Sequence, residues 1–146
     1  MQYLCLVYHD ESKLGSLSPN DMDRLMRECV AWVQEIQHGG HYVYSAALQS
    51  VRSATTVRHR NGALCITDGP FAETKEFLAG FTLIEARDLN EAIQIAAKLP
   101  AARVGTVEVR PLLDVNAVAM DAFDRKIAVA IRRNNHAETD PETTKT

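Results

Sequence analysis

Cysteine is scarce in this chain, and the three present, Cys5, Cys29 and Cys65, include no C-x-x-C pair. That excludes a disulfide framework and a cysteine-based zinc site, and leaves the three thiols to act as small buried hydrophobes. A basic surplus is also missing: 16 Lys and Arg stand against 19 Asp and Glu, for a net charge of -3. Nucleic acid is therefore not expected as a partner, since its binders carry an excess of positive charge on one face. No long hydrophobic run is present either. The opening "MQYLCLVYHDE" has no basic segment before its apolar residues and turns polar at His9, too early for a secretory signal or a membrane span. No membrane partner and a cytoplasmic location are expected. His38, His41, His59 and His136 show neither i, i+4 spacing nor pairing with cysteine, so no metal is expected. A Gly-rich phosphate loop, a G-x-S-x-G elbow and an H-E-x-x-H motif are absent, and no cofactor is expected.

What is there is an ordinary globular chain of 146 residues, 46% hydrophobic and 24% charged. That is long enough for one core, burying roughly two-thirds of the unfolded surface. "QYLCLVY" (residues 2–8) is apolar at nearly every position and reads as a strand covered on both faces. In "SPNDMDRLMRECVAWVQEIQHGG", Ser18 caps a helix, Pro19 takes its first position and Asp21 follows three residues after the cap. Met22, Leu25, Met26, Cys29, Val33 and Ile36 form its apolar stripe, and Gly39 and Gly40 end it. "HYVYSAAL" reads as a second strand. Asn61-Gly62, between two extended runs, predicts a β-hairpin. "AGFTLIEA" is a further strand, "DLNEAIQIAAKLP" a helix with Asp88 and Glu91 as capping box, and "GTVEVRPLL" the last strand. Beyond the domain at 1–113, residues 114–133 predict a C-terminal helix with Val115, Val118, Ala119, Ala122, Phe123 and Ile127 on one stripe. Residues 134–146 form a polar tail.

This order is that of a ferredoxin-like α+β fold with extra strand material in the middle, an antiparallel sheet with helices on one face. The first strand asks for a cover on the other face, for which this chain has the C-terminal helix or a second copy of itself, and a face-to-face homodimer is expected. Strict alternation in "TVEVR" puts Val107 and Val109 toward the helices and Thr106, Glu108 and Arg110 on the opposite face. There the two charges either pair with each other or face a ligand. His9 and Asp10, adjacent at the end of the first strand, are a solvated turn or a general base with its orienting carboxylate. In "TDGPFAETKE" (residues 67–76), turn chemistry accounts for Asp68, Gly69 and Pro70. It does not account for Phe71, Glu73, Lys75 and Glu76, which make the loop a candidate lip of a dimer cleft.

The runs "ATTVR", "TDGPFAETKE", "AGFTLIEARDLNEAIQIAAKLP" and "GTVEVRPL" resemble the YCII-related family, in the subgroup named for its DGPF motif. The resemblance covers residues 1–113 and implies a ferredoxin-like fold assembled as a dimeric α/β barrel. It implies little about the reaction: the subgroup mostly lacks an assigned activity, and some members are labelled transcription-associated. The wider family is credited with a His-Asp site, and one relative is a dehydrochlorinase of a chlorinated hydroxyquinol. The histidine of those relatives lies in the first helix, where this chain has none, so only Asp68 transfers by position. The reading that follows is a dimer binding an unknown small molecule in an interface cleft. Asp68 and His9 are the candidate acid/base residues, and Arg58, Phe71, Lys75, Glu108 and Arg110 the candidate substrate contacts, with an arginine holding an anionic or phenolic group. The chemistry would be that of a lyase or dehydrochlorinase. The alternative is a non-catalytic regulatory or ligand-sensing module.

Overall fold

The near-continuous apolar run at the N-terminus forms β1 (Gln2–His9). In the computed structural model, which describes residues 1–114 and 122–137, it is an inner strand of a four-stranded sheet. After β1 come α1 (Glu11–Gly15), α2 (Pro19–His38) and β2 (Tyr42–Ala47), then the hairpin β3 (Thr55–Arg60) and β4 (Ala63–Asp68). The chain continues through β5 (Phe77–Glu85), α3 (Leu89–Ala97) and β6 (Thr106–Pro111), with single 3₁₀ turns at Val51–Ser53 and Pro100–Arg103. The sheet order is β2-β5-β1-β6 with every pair antiparallel, and β3-β4 form a separate two-stranded sheet. This mixed arrangement, with α2 and α3 on one face, is compatible with a ferredoxin-like fold. Residues Met1–Pro111 form one compact unit and Leu112–Thr146 a second.

The side-chain period of two decides the layers. Tyr3 and Cys5 from β1 and Ile84 from β5 are buried against Trp32 and Ile36 of α2 and Ala92, Ile95 and Ala96 of α3. Val107 and Val109 of β6 are partly buried against the same core. The opposite face carries Leu4, Leu6 and Tyr8, only half-buried, with Phe81, Leu83 and an exposed Tyr44. Within Met1–Pro111, α2 and α3 thus cover one face of β1; the expected cover of the other face was the C-terminal helix or a second copy of the chain. Thr106, Glu108 and Arg110 are exposed on the face opposite α2 and α3, and Arg110 Nε lies 3.6 Å from the Glu108 carboxylate.

The predicted helix ends recur. The Ser18 hydroxyl accepts from the Asp21 N–H at 3.1 Å and donates to the Asp21 carboxylate. Asp88 accepts from the Glu91 N–H at 2.9 Å, while Glu91 reaches back to the Arg87 N–H rather than to that of the cap. The α2 stripe is rotated from expectation: Leu25, Trp32 and Ile36 are buried, Met26 is exposed, and Trp32 donates to the Ile95 carbonyl at 3.1 Å. Positions 25, 29, 32 and 36 centre the stripe, and Met26 falls on its edge. Asn61 at φ 51 and Gly62 at φ 76 make the two-residue primed turn predicted for the hairpin.

Of the cysteines, Cys5 is buried and Cys29 half-buried, but Cys65 is exposed. The expectation of burial fails at Cys65 because it lies on a two-stranded ribbon with no layer over it. In the C-terminal unit, α4 runs from Ala122 to Ala137, with Ala128 buried and Ile127 partly exposed. Val115, Val118 and Ala119 of the expected stripe, and the tail from 138, lie outside the described residues.

Candidate functional site

The end of β1 is re-aimed by a bulge between Val7 and Tyr8 in its pairing with β5. Gly105, leading into β6, presses on the same point. A Cβ there would run into the Tyr8 carbonyl oxygen and approach the His9 Cβ to 2.9 Å. His9 therefore leaves the sheet in a defined direction. It lines a cavity of about 320 Å³ whose other polar lining residues are Glu11, Gln49 and Ser50 and whose apolar ones include Leu14, Met22, Leu48, Phe77 and Leu78. Its Nδ1 is buried and has no hydrogen-bond partner. Such a nitrogen is costly to leave unpaired and is uncommon in structures.

Asp10 does not orient His9. It is the N-cap of α1 and accepts from the Ser12 N–H at 2.9 Å and the Ser12 hydroxyl at 2.6 Å. These bonds, the hydroxyl's foremost, hold its carboxyl below the usual carboxylate range. The carboxylate beside His9 is that of the next residue. Glu11 accepts from the Val51 N–H at 2.8 Å and the Ser50 hydroxyl at 2.9 Å. Its pKa is lowered first by the Val51 bond, then by the Ser50 bond, with smaller contributions from the charges of Arg52 and His9. The cavity thus holds an imidazole with an unpartnered nitrogen and a fixed, ionised carboxylate in electrostatic contact with it. An imidazole and a carboxylate lining one cavity are a pairing that suits proton transfer.

The remaining sequence candidates fall elsewhere. Asp68 closes β4 opposite Thr55 and is exposed. After it, Gly69 at φ +97 donates its N–H to the Ala54 carbonyl at 2.7 Å, and the Thr56 hydroxyl donates to the Gly69 carbonyl at 2.8 Å. Arg58 donates to the Phe71 carbonyl at 2.7 Å while the Phe71 ring and Lys75 stand exposed. Glu76 anchors the far end of the loop, accepting from the Thr106 hydroxyl at 2.8 Å. None of Arg58, Asp68, Phe71, Lys75, Glu108 and Arg110 lines the His9 cavity. Glu11, Gln49 and Ser50 were missed by sequence reasoning. The one available signal was Asp10 as a helix cap, which turns Asp10 away and brings its neighbour forward.

Cys5, buried in the core, has its thiol pushed up to about 11 by desolvation, and burial also raises Cys29. Neither is a ready thiolate nucleophile. Among the described residues no group of three or more His, Cys, Asp or Glu is placed to hold a metal ion. No helix among them is long and apolar enough to cross a membrane.

Fold and site together define an α+β domain with an antiparallel sheet, helices on one face and a polar cavity where the first strand ends. Residues 1–116 match the YCII-related domain family, and the chain belongs to that family. It is similar to an uncharacterized protein of Rhizobium meliloti (strain 1021), 40% identical over 114 residues that span 77% of this chain and 92% of the relative.

Proposed function

We propose that this YCII-related protein, of the subgroup marked by the DGPF motif at Asp68–Phe71, works as a cytoplasmic homodimer that binds a small molecule and carries out lyase-like acid/base chemistry on it, with His9 as the base. The observation that carries the reading is the His9 ring on the wall of an open cavity beside ionised Glu11, with its buried Nδ1 lacking a protein partner. Apart from His9, Glu11 is the one ionisable lining residue, so an uncharged or cationic ligand with a weakly acidic proton suits the site better than an anion. Free cysteines support a reducing compartment. The sheet face opposite α2 and α3 supports the dimer, with Leu4, Leu6 and Leu83 beside Tyr44 and Phe81, whose ring centroids are 6.0 Å apart. Such an apolar face calls for a cover.

A fragment screen by saturation-transfer NMR on the purified protein tests the site. Fragments that bind should lose at least about tenfold in affinity in His9→Gln, with the far-UV circular dichroism unchanged. Hits indifferent to His9 would overturn the assignment. A second reading, a ligand sensor without turnover, is favoured by the tie from Glu11 to Ser50 and Val51, which lead into β3. Ligands bound through His9 but recovered unchanged after long incubation would select it.

A further inference from the structure

The β3-β4 hairpin is amphipathic in a way its exposure does not explain. Cross-strand register sets Val57 opposite Ile66 and His59 opposite Leu64 on one face, and Arg58 opposite Cys65 and Thr56 opposite Thr67 on the other. The first face is apolar at its centre, yet Val57 is 61% exposed, Leu64 57% and Ile66 60%, with Phe71 beyond the strand at 77%. Those four side chains present on the order of 400 Å² of apolar surface, within the range of about 300–600 Å² for the largest patch on a typical monomer, which is often functional. It is also roughly half of the about 800 Å² that each side of a standard interface contributes.

A two-stranded ribbon is marginal by itself, and its free edges invite mispairing. This one is nonetheless built rigidly at its base: the Thr56 hydroxyl, the Gly69 N–H and the Arg58 guanidinium each fix the loop backbone. Because the Phe71 carbonyl is held by Arg58, the ring is presented outward by a preorganised loop. Apolar surface of this size marks an interaction site, and the same unit carries a second apolar surface, the sheet face opposite α2 and α3, that can supply the remaining area of a standard interface. A twofold axis lets each copy cover and be covered.

We propose that the β3-β4 arm of each chain lies on a second copy of the same chain, with Val57, Leu64 and Ile66 against it, and carries the DGPF loop across so that Phe71 is buried in the partner. This rests on the homodimer proposed above and adds that the motif acts between subunits. The test places the photoreactive residue p-benzoylphenylalanine at position 71 of the full chain, mixes ¹⁴N and ¹⁵N protein, irradiates and sequences the cross-linked peptides. Mixed-isotope cross-links are the expected result. Cross-links confined to one isotope, or none, overturn the proposal. In analytical ultracentrifugation, Ile66→Asp should weaken the dimer at least about tenfold with its circular dichroism retained. A dimer of unchanged affinity overturns the arm contact while leaving the homodimer standing, and a monomeric wild-type protein overturns both.

Discussion

The Glu11 carboxylate accepts the Val51 backbone N–H at 2.8 Å across 40 positions of sequence, joining the first residue of α1 to the turn that leads into β3. This bond does two things at once. It holds one wall of the His9 cavity, and it keeps Glu11 ionised on that wall.

Glu11→Gln keeps the shape and removes the charge. Because the folded-state pKa of Glu11 lies below its ordinary value of 4.5, its bonds stabilise the fold above that value and lose their effect as pH falls through the lower, folded-state pKa. Thermal melts should show the variant a few degrees less stable than wild type near neutral pH, with the gap closing in acid. A gap that persists unchanged in acid would contradict the ionised tie.

Trp32 is buried, and its indole N–H donates to the Ile95 carbonyl of α3 at 3.1 Å. Trp32→Phe removes the donor and part of the ring volume, leaving the Ile95 carbonyl with only its bond from the Lys98 N–H at 3.2 Å. The expected cost is about 2–4 kcal/mol. Urea titrations followed by circular dichroism should show a lower midpoint with an unchanged slope.

Gly105→Ala tests whether the close approach beside β1 aims His9. The added Cβ meets the Tyr8 carbonyl oxygen and the His9 Cβ, so the strand end has to move. Destabilisation of about 1–3 kcal/mol is expected, together with a displaced His9 imidazole resonance in side-chain NMR spectra. Gly15→Ala lines the same cavity but has nothing within 4 Å of its new Cβ, and should leave that resonance in place.

Much of the local structure could be read in the residues because its causes are local. Ser18 with Asp21, Asp88 with Glu91, and Asn61 with Gly62 each satisfy backbone groups within four residues, and each appears where the sequence put it. Alternation in "TVEVR" likewise placed Val107 and Val109 inward and Glu108 and Arg110 outward. The stripe of α2 was only approximately readable: whether Trp32 or Met26 turns inward depends on α3, which arrives more than sixty residues later in sequence at Ile95.

By itself, then, the sequence determined the order of the longer elements, their caps and the family, because these follow from backbone geometry and side-chain period over a few residues; it did not show the short α1. Tertiary structure alone decided which carboxylate stands beside His9. Asp10 and Glu11 look interchangeable as letters, but the first turn of α1 spends Asp10 on its own N–H groups and leaves Glu11 to bridge to Ser50 and Val51. It also decided that Cys65, Val57 and Ile66, all suited to a core by composition, lie on an arm outside the core of their own chain. Burial is a property of what packs over a residue, and two strands alone provide only one layer.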